Sequence, residues 1–107
     1  MKNIGLCDKD LLEISSVLAS FPEVERAVLY GSRAKGNFRP GSDIDLTLEG
    51  DGLSFHSLLN VAGALDDTFL PYLFDVSIRS QIQDESLQDH IRRVGVVLYE
   101  RPQADAG

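Results

Sequence analysis

A single cysteine, Cys7, is all the thiol this chain possesses, so no intramolecular disulfide can staple it and a reducing compartment suits it. No apolar run is long enough to cross a bilayer, and the opening MKNIGLCDKD has no hydrophobic stretch of the secretory kind. A cytoplasmic protein with no place in a membrane is therefore expected. Positive charge is also scarce. Ten Lys and Arg stand against 17 Asp and Glu, a formal net charge of −7, which opposes the encounter with nucleic acid or anionic lipid, so no direct nucleic-acid binding is expected. Internal repeats and low-complexity segments are lacking. The 107 residues suit one domain, 1–107, whose active site would be shallow or completed by another molecule. The end of the chain, 101–107, RPQADAG, has little to bury and is expected to be a disordered tail.

One local absence is more informative. Between Gly31 and Ser42 there is no acid, while Arg33, Lys35 and Arg39 bring +3, leaving seven bases against 17 acids for the rest of the chain. Directly after this basic stretch, Asp43 and Asp45 stand one residue apart at the head of an apolar run.

Periodicity places these residues on elements. Leu11, Leu12, Ile14, Val17 and Leu18 recur at helical spacing, predicting a helix over 8–20 that Asp8 or Asp10 could cap. The segment 24–30, VERAVLY, reads as a strand ending at the turn residue Gly31, with a short helix starting at Ser32. Alternation over 43–48 predicts a strand with two different faces. Ser54 is a plausible cap for a helix over 54–66 with Phe55, Leu58, Leu59, Ala62 and Leu65 on its apolar stripe. A strand over 72–78, a helix over 84–94 closed by Gly95, and a last short strand, VVLYE, complete the order. The fold class is α/β (α+β), a small mixed sheet flanked by helices, with a strand order that the sequence leaves open.

Residues i and i+2 of a strand share a face about 7 Å apart, so Asp43 and Asp45 present two carboxylates together while Ile44 and Leu46 face the core. Like charges on one face call for a cation, and hard oxygen donors favour Mg²⁺ or Mn²⁺. A solvated strand edge is the plainer alternative. Gly31 permits close backbone approach, and the helical turn after it offers free N–H groups to an anion such as phosphate. The spacing Gly31-x-x-x-x-Gly36 imitates a P-loop, but Asn37 and Phe38 stand where Lys and Ser/Thr are required, and G-x-S-x-G is missing as well. Arg33 and Arg39 could neutralise a triphosphate, with Lys35 less well aimed; the alternative is a solvated basic loop. His56 and His90 lie away from any metal-ligand spacing and read as surface or boundary residues.

The combination Gly31-Ser32, ten residues, then Asp43-x-Asp45, with Gly36 and Ser42 between, resembles the signature of the DNA polymerase β-like nucleotidyltransferase superfamily. The wording GSRAKG…RPGSDIDL is similar to that of its minimal (MNT) branch, small proteins often paired with helical HEPN proteins in toxin–antitoxin modules. The resemblance implies the polymerase β-like fold and a third carboxylate on a later strand, where Asp75 stands. It implies that Gly31 and Ser32 hold the β- and γ-phosphates of ATP, with Arg33, Arg39 and Ser42 beside them. Asp43, Asp45 and Asp75 would hold two Mg²⁺ ions, or Mn²⁺. The expected activity is transfer of AMP from ATP to a tyrosine hydroxyl of a HEPN RNase toxin, which neutralises it. Two other readings are a non-catalytic antitoxin that occludes its HEPN partner, and a small-molecule nucleotidyltransferase of the antibiotic-modifying type.

Overall fold

A computed structural model of the chain describes residues 3–102. Their order is α1 (Asp8–Ala19), β1 (Arg26–Tyr30), α2 (Gly31–Lys35), β2 (Ile44–Glu49), α3 (Phe55–Asp66), β3 (Phe74–Ile78), a 3₁₀ turn (Arg79–Gln81), α4 (Glu85–Val94) and β4 (Val96–Glu100). The four strands form one sheet in the order β3-β2-β1-β4. β1 pairs antiparallel with both β2 and β4, while β2 and β3 run parallel, so the sheet is mixed as expected.

Alternation along the strands divides the sheet into two unlike faces. Ala27 and Leu29 of β1 and Ile44, Leu46 and Leu48 of β2 are buried in one cluster with Ile14 and Leu18 of α1 and Val61 and Leu65 of α3. The intervening residues, Val28 and Tyr30, turn to the other face and pack with Ile91 of α4. Along β2 that second face reads Asp45, Thr47, Glu49, and along β3 it reads Asp75 and Ser77, whose hydroxyl donates to Thr47 at 3.0 Å. The first face is the core. The second is polar, with α4 packed over β1.

Several boundaries differ from those the sequence suggests, each for a local reason. The short helix begins at Gly31 and not at Ser32, and Asp43 lies one residue before its strand. Asp8 and Asp10 do not cap α1; they sit inside its first turn, where negative charge suits the helix dipole, and Asp10 instead accepts the Tyr72 hydroxyl at 2.9 Å. Ser54 does cap α3, in a reciprocal box with Ser57. The apolar stripes are narrower than their spacing suggested, because Leu12, Phe55 and Leu59 remain largely exposed. Arg101 departs from the expected disordered tail: its backbone N–H donates to Glu25 O at 2.8 Å and its guanidinium to Phe21 O at 2.9 Å. Residues 103–107 of that tail lie outside the described residues.

Candidate active site

The end of β1, the start of β2 and the start of β3 come together at one edge of the polar face. In register, Tyr30 pairs with Asp45 and Asp45 with Asp75, so three neighbouring strands bring their side chains side by side. Asp43, just before β2, adds a third carboxylate. Burial raises the Asp45 carboxyl from its ordinary value, and the negative charges of Asp75 and then Asp43 add to the rise. The Tyr30 phenol is likewise raised, chiefly by burial, with the nearby Ser77 hydroxyl working against the rise and the charges of Asp75 and Asp45 adding to it.

No base answers these acids. Every ion pair among the described residues lies elsewhere, and none includes Asp43, Asp45 or Asp75. The three are close enough to repel, yet no three ligating side chains are gathered to coordination distance among the described residues. An all-oxygen, all-anionic set on a rigid strand pair fits hard divalent cations, which would draw the carboxylates inward.

Gly31 ends β1 at φ +77°, a conformation that side chains other than glycine rarely adopt, and an added Cβ would collide with the Asp45 carboxylate. The first turn of α2 therefore lies against the acid cluster. Gly36, at φ +86°, closes that turn by donating to Ser32 O at 3.0 Å. Ser32 is half-buried at the head of the turn, and Lys35 and Arg39 are exposed.

Arg33 is placed differently from its expected position beside phosphate. It is 2% exposed, and every guanidinium nitrogen is engaged: Nε and Nη2 donate to Ser42 O at 3.2 and 2.9 Å, and Nη1 donates to Ile4 O at 3.1 Å and Gly5 O at 3.3 Å. Its ends are enclosed by the rings of Phe38 and Tyr72, 5.2 and 5.0 Å from the guanidinium carbon. Alternate side chains of a short helical turn cannot all face one ligand, and the interior of the loop takes this one. Ser42 is similarly occupied, its Oγ accepting the Arg39 N–H at 2.8 Å. Of the basic residues expected at the site, Arg39 alone combines exposure with a place on the loop that leads to Asp43.

His90, on α4, was given no role by its spacing. Its Nε2 accepts the Gly31 N–H at 3.0 Å, and its ring meets Tyr30 edge-on at 6.3 Å between centroids. Nothing in the sequence around it marks this contact, which joins residues 59 positions apart. A cleft lined by Glu25, Arg26, Glu49, Asp51, Glu100 and Arg101 lies at the opposite end of the sheet, where the charges are paired. In the acid cluster, by contrast, Asp43 and Asp75 are exposed and Asp45 is half-buried.

The family model described as Polymerase beta, Nucleotidyltransferase matches residues 13–104. The chain belongs to the polymerase β nucleotidyltransferase family. Among solved structures, a toxin–antitoxin crystal structure with AMP-PNP superposes with a TM-score of 0.71 at 20% identity, covering 86% of this chain and 74% of the other. A mutant of the toxin–antitoxin MntA-HpeT gives 0.68 at 17% identity, covering 85% and 73%. At these identities the likeness is one of fold. Comparison with curated protein sequences gives no match. As a polymerase β nucleotidyltransferase domain, the chain has the β2 and β3 carboxylates and the Gly31 turn at one edge of its sheet.

Proposed function

We propose that this protein is an antitoxin that transfers AMP from ATP to a tyrosine hydroxyl of a HEPN RNase toxin in the cytoplasm. The observation that carries this reading is the cluster of Asp43, Asp45 and Asp75, unneutralised by any base and lying against the Gly31 turn.

Asp43 and Asp45 are the residues to hold two divalent ions, Mg²⁺ or Mn²⁺, with Asp75 as the third ligand. Bound there, the ions supply positive charge to the attacking and leaving oxygens of an in-line displacement. The chain's own part is positional. The Ser32 hydroxyl and the N–H groups of α2 from Ser32 onward, which have no acceptor within their helix, receive the β- and γ-phosphates. Arg39 reaches them from the exposed loop. The toxin hydroxyl oxygen forms a bond to the α-phosphorus as the bond to the bridging oxygen breaks and pyrophosphate departs. Asp75, the exposed carboxylate of the β2–β3 pair, faces the incoming hydroxyl and takes its proton.

The acceptor comes from another chain and meets the exposed carboxylates of Asp43 and Asp75. Phe69 and Leu73, 100% and 72% exposed, lie on the segment leading into β3, and Ile44 N–H donates to Leu73 O at 2.8 Å beside Asp43. Exposed apolar side chains at the lip of an open site suit a protein partner. Among the described residues no helix is long and apolar enough to cross a membrane.

The same lip favours a second reading, a stoichiometric antitoxin that covers its toxin without chemistry. Intact mass of a HEPN protein, sought in the neighbouring reading frame, after incubation with ATP and Mg²⁺ separates the two. The adenylyltransferase reading expects added AMP that disappears with Asp43→Ala or Asp45→Ala. Neutralisation with no change of mass would leave only the binding antitoxin.

A further inference from the structure

Glycine permits the positive φ of the β1–α2 junction without imposing it, so something else must fix the orientation of the peptide there. Tyr30, at the N-cap position of α2, provides no side-chain cap, and a helix of five residues is too short to hold its own first turn. The fixing group arrives from another element. His90 Nε2 accepts the Gly31 N–H at 3.0 Å, while on the Asp45 side the peptide is so close that no Cβ would fit.

His90 is itself held on two sides. The edge-on Tyr30 ring sets its plane, and the neighbouring Ile91, 2% exposed, fixes α4 against Val28 and Tyr30. Further back, Gln88 Nε2 donates to Arg79 O at 2.8 Å and Ile82 O at 3.1 Å, tying α4 to the turn that follows β3. The imidazole is thus a rigid acceptor, with its proton on Nδ1.

We infer that His90 is the positioning residue of the triphosphate turn: by accepting the Gly31 N–H it locks the peptide that aims Ser32 and the opening N–H groups of α2 over the acid cluster. The inference rests on the nucleotidyl-transfer reading for the identity of the anion. It does not touch the reacting atoms, and it gives α4 a function that packing alone would not require. Because the Gly31 donor is already used by the imidazole, phosphate is met from Ser32 onward.

NMR tests the contact directly, since an N–H···N hydrogen bond transmits a scalar coupling between its two nitrogens. A cross-peak linking the Gly31 amide to His90 Nε2 is expected in the full chain, and its absence would overturn the inference. His90→Phe keeps a ring for Tyr30 but removes the acceptor, and His90→Gln restores an acceptor through its amide oxygen. Calorimetric titration with ATP and Mg²⁺ should show about a tenfold weaker affinity for the Phe variant, the scale of one oriented hydrogen bond, with most of it recovered by Gln. A Phe variant that binds like the wild type, or a Gln variant no better than Phe, also overturns it. Melting curves of both variants separate misfolding from mispositioning. If the wild-type protein binds no ATP with Mg²⁺, the nucleotidyl-transfer reading fails, whereas the cross-peak still decides whether His90 holds Gly31.

Discussion

At the C-terminal end of β2, Glu49 lies 3.5 Å from Arg26 and 3.0 Å from Arg79, and Arg26 reaches on to Glu100 at 3.3 Å. Four residues back on the same face of the same strand, Asp45 has two aspartates for neighbours and no ion pair among the described residues. Both ends carry carboxylates on a polar sheet face, yet one is a closed network and the other an open accumulation of negative charge. The network needs nothing further. The accumulation is stable only because the apolar face beneath it, built from Leu29, Ile44, Leu46 and the two helices, is fully buried. Paired charge at one end belongs to the structure, and the unpaired like charge at the other is what the proposed nucleotidyl transfer would use.

The largest effect expected from breaking this contrast is that of Asp45→Asn. Transfer of AMP should fall by about 10²–10³-fold, the scale of losing one electrostatic contact at a reacting centre. Stability of the free protein should move the opposite way. The Asp45 carboxyl is raised in the folded state, so its contribution to stability is present below the unfolded value of the acid and is lost as pH rises through the folded value. At neutral pH the ionised group opposes folding, and Asn relieves it. Initial rates and thermal melts at pH 7 check both halves; a lower melting temperature for the Asn variant would remove the basis of the comparison.

Next in size is Arg33→Met. Three carbonyls, those of Ile4, Gly5 and Ser42, lose their donor, and unfolding in denaturant should show a loss of about 2–4 kcal/mol, since each buried unsatisfied group costs about 1–3 kcal/mol and the loop can relax in part. Arg39→Met, exposed on the same loop, should change stability by less than about 0.5 kcal/mol while weakening ATP binding. Two arginines six residues apart are thereby sorted by the same measurement. The smallest effect is that of Glu100→Gln at the paired end. Its carboxylate is 61% exposed, so the loss should be at most about 0.5 kcal/mol and should shrink further at high salt.

Much of this architecture follows from local pattern. The apolar spacing of α1, the alternation of β2 and the capping chemistry of Ser54 are written within a few residues each, and the structure has those elements. The fate of the arginines is not so written. Arg33 and Arg39 share a type and a neighbourhood in the sequence, and only the arrival of Ile4, Gly5 and Tyr72 around one of them decides that it is enclosed. The tail shows the same dependence at Arg101, whose partners Phe21 and Glu25 lie far back in the chain.

From the sequence alone came the mixed α/β order and the basic turn ahead of Asp43 and Asp45, because periodicity and motif spacing act over short separations; the candidacy of Asp75 came from the family resemblance. Tertiary structure alone placed Asp75 beside Asp45 through the parallel β2–β3 register, turned Arg33 inward and brought His90 onto Gly31. Those contacts join residues brought together by strand order and helix docking, and nothing local to any of the partners specifies the other.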